Sequence, residues 1–293
     1  KGIEKMNYII AIDIGGTKII TCLIKNDKIL KQIKFKTKKG RNNIIRSIES
    51  SVYLITSNIK LSDVKNIVVG VASPVNEERG IIINAPNIRG FRNLNIKKIL
   101  ENKLKIPVIV KNDACLQALG EYSINQDIKS LFLLTLGTGV GASFVYKGKV
   151  FPLEFGHTII QANGNKCSCG NKGCIESYVS GHAISNLFFK RYKKRLLPSQ
   201  ILELAKKHDK NAKRFLEETG RYLGIGLVNI INTFNPEAII INGGLTPIVE
   251  YLMPSIKKQI KKNKTIKFVG NIMISSLKEN ALFYGVTYLL PMD

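Results

Sequence analysis

The chain of 293 residues lacks two kinds of segment, and each absence argues against a class of protein. No apolar run approaches the ~20 residues that a membrane-spanning helix needs, so we expect no membrane function. Residues 1–6 lack the apolar core of a signal peptide, and we therefore expect a soluble, cytoplasmic protein. Hydrophobic residues still make up 44% of the chain, which is enough for a sizeable core and argues against wholesale disorder.

Acidic residues are scarce, because 21 Asp and Glu stand against 45 Lys and Arg, which gives a net charge of +24. Such a balance is compatible with a nucleic-acid partner. The basic residues are spread along the chain, however, and the local clusters at 190–195 and 257–264 are typical of solvated helix faces. We therefore expect no nucleic-acid function, whereas the same charge would attract an anionic substrate.

Cysteines are few, and none of the five forms a C-x₂-C pair. Cys22 and Cys115 stand alone in apolar surroundings and are interpreted as small core residues. The other three fall within eight positions and follow His157 in the pattern H-x₉-C-x-C-x₄-C, at Cys167, Cys169 and Cys174. In a chain without an export signal this cluster favours a metal over disulfides, and a Cys₃His set suits structural Zn²⁺. An empty, reduced cluster is the alternative.

The hydrophobic pattern predicts one α/β unit twice, about 120 residues apart. A buried strand at 8–14, a glycine turn and strands at 19–25 and 28–37 recur as strands at 130–136, 142–146 and 149–151. Two unrelated meanders are the alternative to a duplication. Helices are predicted at 44–58, 97–104, 114–122, 183–192, 198–208, 212–234 and 281–290. Further strands are predicted at 66–72, 107–111, 238–242 and 267–274. Two such units predict two lobes, with a glycine turn from each facing a shared cleft.

The glycine turns are candidate phosphate sites, because backbone N–H groups approach a phosphate closely where no side chain intervenes. In the first turn, DIGGTK, Thr17 adds a hydroxyl, Lys18 adds a charge, and Asp13 is placed to reach Mg²⁺. Thr135–Gly141 repeats this chemistry, and Gly243-Gly244 follows a third strand. A single such turn is typical of a simple hairpin, and the first differs from a P-loop because the chain returns as a strand.

Asn112-Asp113 follows the strand predicted at 107–111 and is the candidate catalytic centre. A carboxylate that projects from a strand end is suited to act as a general base. The same dipeptide is also a common helix N-cap, and spacing alone favours that structural role.

Taken together, these motifs resemble the ROK family (repressors, open reading frames and kinases) of the actin-like, hexokinase-like superfamily. The resemblance runs from Asp13 to about Gly285. Its motifs are DIGGTK at 13–18, NAPNIRGF at 84–91, KNDA at 111–114, TLGTGVG at 135–141, EFGH at 154–157, CSCGNKGCIE at 167–176 and NPEAIIINGG at 235–244. It implies an α/β, RNase H-like fold of two lobes with a duplicated mixed β-sheet unit and an interlobe cleft. The small lobe would be 1–115 joined by the final helix at 280–293, and the large lobe 116–279.

The resemblance also implies an ATP-dependent sugar kinase that uses Mg²⁺, carries structural Zn²⁺ and transfers the γ-phosphoryl group to the 6-hydroxyl of a hexose, with Asp113 as the base. The implied sugar-binding residues are Asn87, Gly90, Asn112, Asp113, Glu154, His157 and Glu176. The implied nucleotide-binding residues are Asp13, Gly15, Gly16, Thr17, Lys18, Gly137, Thr138, Gly139, Gly243 and Gly244. The implied metal ligands are His157, Cys167, Cys169 and Cys174. His157 has two ring nitrogens and is expected to serve both zinc and sugar.

Several alternatives accompany this interpretation. Glucose is favoured as substrate by NAPNIRGF, although Phe91 stands where many glucokinases of the family carry Trp; N-acetylmannosamine and N-acetylglucosamine kinases share the other motifs. The repressors of the family carry a helix-turn-helix domain ahead of the first glycine motif, and with Asp13 so early we expect none here. A zinc-finger module and a non-catalytic sugar-binding protein are disfavoured. The resemblance also predicts a homodimer.

Overall fold

The protein is described by a computed structural model that covers residues 8–85, 88 and 90–291. The chain divides into two compact units. One comprises residues up to Ile124 together with those from Asn280 onward, and the other spans Asn125–Glu279. Within the described residues, no helix combines the length and the apolar character needed to cross a membrane.

The first unit contains a five-stranded sheet and a small three-stranded one. Its strands are β1 (Tyr8–Ile14), β2 (Lys18–Lys25), β3 (Lys28–Lys36), β4 (Val64–Val71), β5 (Val75–Asn76), β6 (Ile81–Asn84), β7 (Arg92–Asn95) and β8 (Val108–Asn112). The large sheet has the order β3-β2-β1-β4-β8. In it β1, β4 and β8 are parallel, and β2 pairs antiparallel with both β1 and β3. Apolar side chains of β1 and β4 are buried on both faces, as expected for central strands covered on two sides.

Four helices cover the two faces of this sheet: α1 (Arg41–Ile55), α2 (Ile96–Leu104), α3 (Asp113–Ser123) and α9 (Ala281–Leu289). Ile48 of α1 and Leu100 of α2 join the core on one face, while Leu116 of α3 and Phe283 of α9 join the core on the other. The last helix therefore completes a unit that begins at the first strand.

Two glycines let α3 and α9 touch backbone to backbone. A Cβ at Gly120 would overlap the carbonyl oxygen of Ala281, and one at Gly285 would overlap the carbonyl oxygen of Leu116. Since only glycine has no Cβ, the close crossing of these helices depends on both residues. This contact places α3 in the first unit, so the boundary lies after Ile124 and not after residue 115 as the sequence predicted.

The second unit repeats the topology of the first. Its strands are β9 (Ser130–Leu136), β10 (Val140–Tyr146), β11 (Lys149–Leu153), β12 (Ala238–Asn242) and β13 (Asn271–Ile274). Their order β11-β10-β9-β12-β13 has the same parallel and antiparallel neighbours as the large sheet of the first unit. The predicted duplication of a mixed sheet is therefore confirmed at the level of topology.

The helices of the second unit are α4 (Glu176–Val179), α5 (Gly181–Tyr192), α6 (Pro198–Lys206), α7 (Lys210–Phe234) and α8 (Thr246–Lys261). Of α8 the sequence indicated only a helix face at 257–264, and the small sheet β5–β7 was not predicted. The last strand was predicted to begin at 267, which is wrong because regular pairing with β12 starts only at Asn271. The side chain of Val269, just ahead of it, is exposed.

Candidate functional site

Three polar side chains lie at the carboxyl edge of the large sheet in the first unit. Asp13 near the end of β1 is in register with Gly70 of β4, and Gly70 is in register with Lys111 of β8. Asn112 and Asp113 follow directly, where β8 ends and α3 begins. Two strand spacings separate β1 from β8, or about 10 Å. The carboxyl edge of parallel strands is the usual place for ligands in α/β sheets, and the structure brings these predicted residues together there.

The first glycine turn joins β1 to β2 at the same edge. The N–H of Gly15 donates to the carbonyl oxygen of Lys18 at 3.0 Å, which closes the turn. Gly16, Thr17 and Lys18 are exposed. Thr37, which directly follows β3 and was not selected from the sequence, also stabilises the turn. Its hydroxyl donates to the carbonyl oxygen of Gly15 at 2.7 Å. The hydroxyl of Thr17 and the ammonium of Lys18, both in this exposed turn, are donors of the kind that a phosphate requires.

Asn112, and not Asp113, supplies the cap of α3. Its Oδ1 accepts the N–H of Cys115 at 3.2 Å, and its Nδ2 donates to the carbonyl oxygen of Ser73 at 3.1 Å. The structural role that the sequence left open for this dipeptide is thus filled by the first residue alone. The carboxylate of Asp113 remains available for chemistry.

The carboxyl group of Asp113 has an environment that suits a proton acceptor. Burial raises its pKa from 3.8 to about 6, although the N–H groups of Ala114 and of Asp113 itself lower it. The Ala114 N–H donates to Oδ1 at 2.8 Å. A base with a pKa of this value is ionised at neutral pH and holds a proton more readily than an ordinary aspartate does.

The segment around residue 90 is described only in part. Asn87 lies outside the described residues. Gly90 is exposed and adopts φ +92°, a conformation that favours glycine. Phe91 is fully buried, with 1% of its surface exposed, and packs in the core of the first unit. The aromatic residue at this position therefore serves the fold.

The second glycine turn lies at the carboxyl edge of the sheet in the other unit. The N–H of Gly137 donates to the carbonyl oxygen of Gly139 at 3.0 Å, and the N–H of Gly181, at the start of α5, donates to that of Gly137 at 2.8 Å. Gly243 has φ +105°, and a Cβ there would overlap the carbonyl oxygen of Leu136. The structure thus brings the turn after β9 and the Gly243-Gly244 pair after β12 together.

Glu176, the first residue of α4, reaches this turn with its carboxylate. Its Oε2 accepts the N–H of Val140 at 2.9 Å, and its Oε1 accepts the hydroxyl of Ser168 at 3.0 Å. Neither Val140 nor Ser168 was selected from the sequence. The backbone donor leaves no trace in the residue type, whereas Ser168 stands inside the Cys-Ser-Cys motif and could have been noticed there.

Four metal-ligating side chains meet in the second unit. One donor atom from each of His157, Cys167, Cys169 and Cys174 lies within 4.8 Å of the other three. Cys169 Sγ is 3.7 Å from Cys174 Sγ, and Cys167 Sγ is 3.6 Å from His157 Nδ1. A tetrahedral zinc with ordinary bond lengths would place two sulfurs about 3.8 Å apart and a sulfur and a nitrogen about 3.6 Å apart. The spacing of these donors therefore fits Zn²⁺.

The pKa of Cys174 reflects how close the three sulfurs lie to one another. Burial, together with hydrogen bonding and charge repulsion from Cys167 and Cys169, raises the pKa of Cys174 to about 12. Three neighbouring thiolates repel one another, and a divalent cation removes that repulsion while protons leave. A metal that binds these sulfurs would therefore displace their protons.

The imidazole of His157 lies between the cluster and a carboxylate. Its Nδ1 faces Cys167, whereas its Nε2 is 4.0 Å from Glu154 Oε2. Glu154 follows β11 and has 69% of its side-chain surface exposed. One ring nitrogen is therefore oriented toward the metal ligands, and the other toward an exposed acceptor group.

The chain is similar to glucokinases and to xylose repressors. A model of the ROK family matches residues 9–292. Glucokinase from Thermotoga maritima is 28% identical, with 96% of each chain covered. The xylose repressor of Caldicellulosiruptor bescii is 29% identical over 77% of this chain, which spans only 62% of the repressor. A ROK family glucokinase from Streptomyces griseus, solved in complex with glucose and AMPPNP, superimposes with a TM-score of 0.82 at 27% identity, covering 96% of this chain and 98% of that one. From its hexokinase-like α/β fold and the match along its length, the chain is a member of the ROK family.

Proposed function

We propose that this chain is an ATP-dependent hexose kinase that transfers the γ-phosphoryl group of ATP to the 6-hydroxyl of glucose. The observation that carries the proposal is Asp113, a carboxyl at the carboxyl edge of its sheet with a pKa raised to about 6. Phosphoryl transfer requires positioning, charge neutralisation and a group that accepts the proton of the attacking hydroxyl. Asp113 supplies the acceptor, and the amide of Asn112 lies beside it.

The sugar-binding role of the second unit rests on the groups around His157. Carboxylates and imidazole pair well with sugar hydroxyls, which both donate and accept hydrogen bonds. Glu154, Glu176 and the Nε2 of His157 would hold hydroxyls, while Nδ1 of His157 would hold zinc together with Cys167, Cys169 and Cys174. Bound zinc supplies structural closure of this loop and fixes the ring of His157.

The two glycine turns support the nucleotide part of the proposal. Backbone N–H groups that follow Gly15 and Gly137 in the two turns, with Thr17, Thr138 and Lys18, would bind phosphate oxygens. Gly243 and Gly244 would lie against the rest of the nucleotide. Asp13 would hold Mg²⁺, which supplies neutralisation of charge on the phosphates.

Two other functions are alternatives to a glucose kinase, and the assay described below distinguishes them. An N-acetylmannosamine or N-acetylglucosamine kinase would use the same residues on a larger substrate. A sugar-responsive regulator is favoured by the 29% identity to a xylose repressor. The raised pKa of Asp113 supports a kinase, since a protein that only binds sugar has no use for a proton acceptor. We also propose that the enzyme is a homodimer and acts in the cytoplasm, where ATP is available.

A coupled assay of ADP release tests the proposal against a panel of glucose, mannose, fructose, N-acetylmannosamine and N-acetylglucosamine. Glucose should give the highest kcat/KM, and Asp113→Asn should abolish most turnover while leaving sugar binding by calorimetry intact. A regulator would bind a sugar from the panel without releasing ADP. Preference for an N-acetylhexosamine would refute the choice of glucose but not the kinase.

A further inference from the structure

The carboxylate of Glu176 connects two segments that are far apart in the second unit's chain. Its Oε1 accepts the hydroxyl of Ser168, which lies between the first two cysteines of the metal loop, at 3.0 Å. Its Oε2 accepts the N–H of Val140, in the second glycine turn, at 2.9 Å. Cys167 Sγ is a further 3.8 Å neighbour of Oε1. One side chain is therefore held at both oxygens, by the loop on one side and by the turn on the other.

Packing at the turn agrees with this placement of the carboxylate. A Cβ added at Gly139 would lie 2.7 Å from Oε2 of Glu176, which is closer than real side chains approach. The space above this glycine is thus taken by the carboxylate. Gly139 therefore leaves room for the carboxylate over the turn, and the two hydrogen bonds hold it there.

We infer that Ser168 is a positioning residue that holds Glu176 in its sugar-binding orientation and makes that orientation depend on the metal loop. Glutamate has several freely rotating bonds, so an unrestrained carboxylate loses much rotamer freedom when it binds a ligand. Ser168 is exposed and flanked by two candidate metal ligands. When these cysteines are fixed, its hydroxyl is fixed as well, and the freedom of Glu176 is already restricted before sugar arrives. The inference rests on the proposed sugar-binding role of Glu176.

Three variants of the zinc-loaded protein test this inference. Ser168→Ala removes the hydroxyl, and Ser168→Thr restores it on a slightly larger side chain. Ser177→Ala is the matched control, because the Ser177 hydroxyl also belongs to this segment but donates to the carbonyl oxygen of Cys174 at 2.7 Å rather than to Glu176. Zinc content by elemental analysis and Tm accompany each measurement.

Ser168→Ala should raise KM for the sugar roughly three- to tenfold, the loss expected for one partly exposed hydrogen bond to a carboxylate. KM for ATP should change by less than about twofold, and zinc content should stay that of the parent. Ser168→Thr should recover at least half of the lost affinity, and Ser177→Ala should behave as the parent protein.

Amide hydrogen exchange at Val140, followed by NMR, gives a measurement that needs no kinase activity. Because Glu176 protects this N–H, Ser168→Ala should accelerate its exchange roughly three- to tenfold, with Ser177→Ala unchanged. If the parent protein neither binds nor phosphorylates any sugar, the proposed function fails while the exchange at Val140 still reports on the positioning. Unchanged sugar KM and unchanged exchange in Ser168→Ala would overturn the inference. Loss of zinc from Ser168→Ala, or an equal effect of Ser177→Ala, would assign Ser168 to loop stability instead.

Discussion

If the chain is the proposed kinase, replacing Asp113 by asparagine should inactivate it and stabilise its fold at the same time. Asparagine has nearly the same shape, and its Oδ1 can still accept the N–H of Ala114. It cannot accept the proton of the sugar hydroxyl, so kcat should fall by at least ~10²-fold, the range for loss of a general base. The opposite effect on stability follows from the raised pKa.

The size of that effect comes from linkage between ionisation and folding. The pKa of Asp113 is about 6 in the folded protein, and its ordinary value of 3.8 stands for the unfolded chain. Between these values the folded state binds more protons than the unfolded state, so stability is full below pH 4 and is lost as pH rises through 6. A shift of this size corresponds to about 3 kcal/mol at pH 7, taken as an upper value. The neutral amide of the Asp113→Asn variant carries no such cost.

Urea unfolding and thermal melting at pH 4 and pH 7 measure this difference. Asp113→Asn should be more stable than the parent at pH 7, by up to about 3 kcal/mol, and should match it near pH 4. The exposed Asp127→Asn serves as control for the loss of one negative charge. In the parent, kcat/KM should fall tenfold per pH unit below about 6. An asparagine variant with equal or lower stability at pH 7, or with activity within tenfold of the parent, would refute the reasoning.

Three further predictions concern the metal loop and the helix contact. Elemental analysis should find about one zinc per chain; Cys169→Ser should lower both zinc content and Tm, and well under half an equivalent in the parent would count against the site. His157→Cys should retain zinc, because thiolate is a good ligand, yet raise the sugar KM roughly three- to thirtyfold with little change in the KM for ATP; a zinc-loaded variant with the parent's sugar KM would remove the dual role of His157. Gly120→Ala should destabilise the first unit by roughly 1–3 kcal/mol in urea unfolding, since its Cβ meets the backbone of α9; an unchanged midpoint would show that the helices can separate at no cost.

The sequence predicted the central strands well, because β1, β9 and the part of β4 from Ile67 onward are largely apolar runs that are buried on both faces. It missed the small sheet, whose strands are only two to four residues long and mostly not buried. It also missed the first part of α8, which contains Pro254 in its interior. Proline usually ends a helix, and only the packing of the apolar face of α8 overrides that preference.

The metal ligands were predicted from spacing because their residue types and loop glycines restrict the chemistry strongly. The partners of Glu176 were not, since one is a backbone N–H and the other a serine, a residue type that is common on protein surfaces. Asn112 and Asp113 were predicted as a pair, but only the structure separates the helix cap from the perturbed carboxyl. The motifs thus identified the residues, whereas the separate roles of neighbouring residues became visible only in the structure.

The return of the chain to its first unit has a consequence during protein synthesis. Helix α3, with Asp113 at its first residue, needs α9 to cover Leu116 and Gly120, yet the whole of Asn125–Glu279 is translated in between. At ordinary elongation rates that delay is roughly 8–30 s, during which an apolar helix face of the nascent chain has no covering partner. Chains that terminate early therefore never complete the unit that holds Asp113, so a premature stop leaves this unit without α9 even when every motif residue has been synthesised.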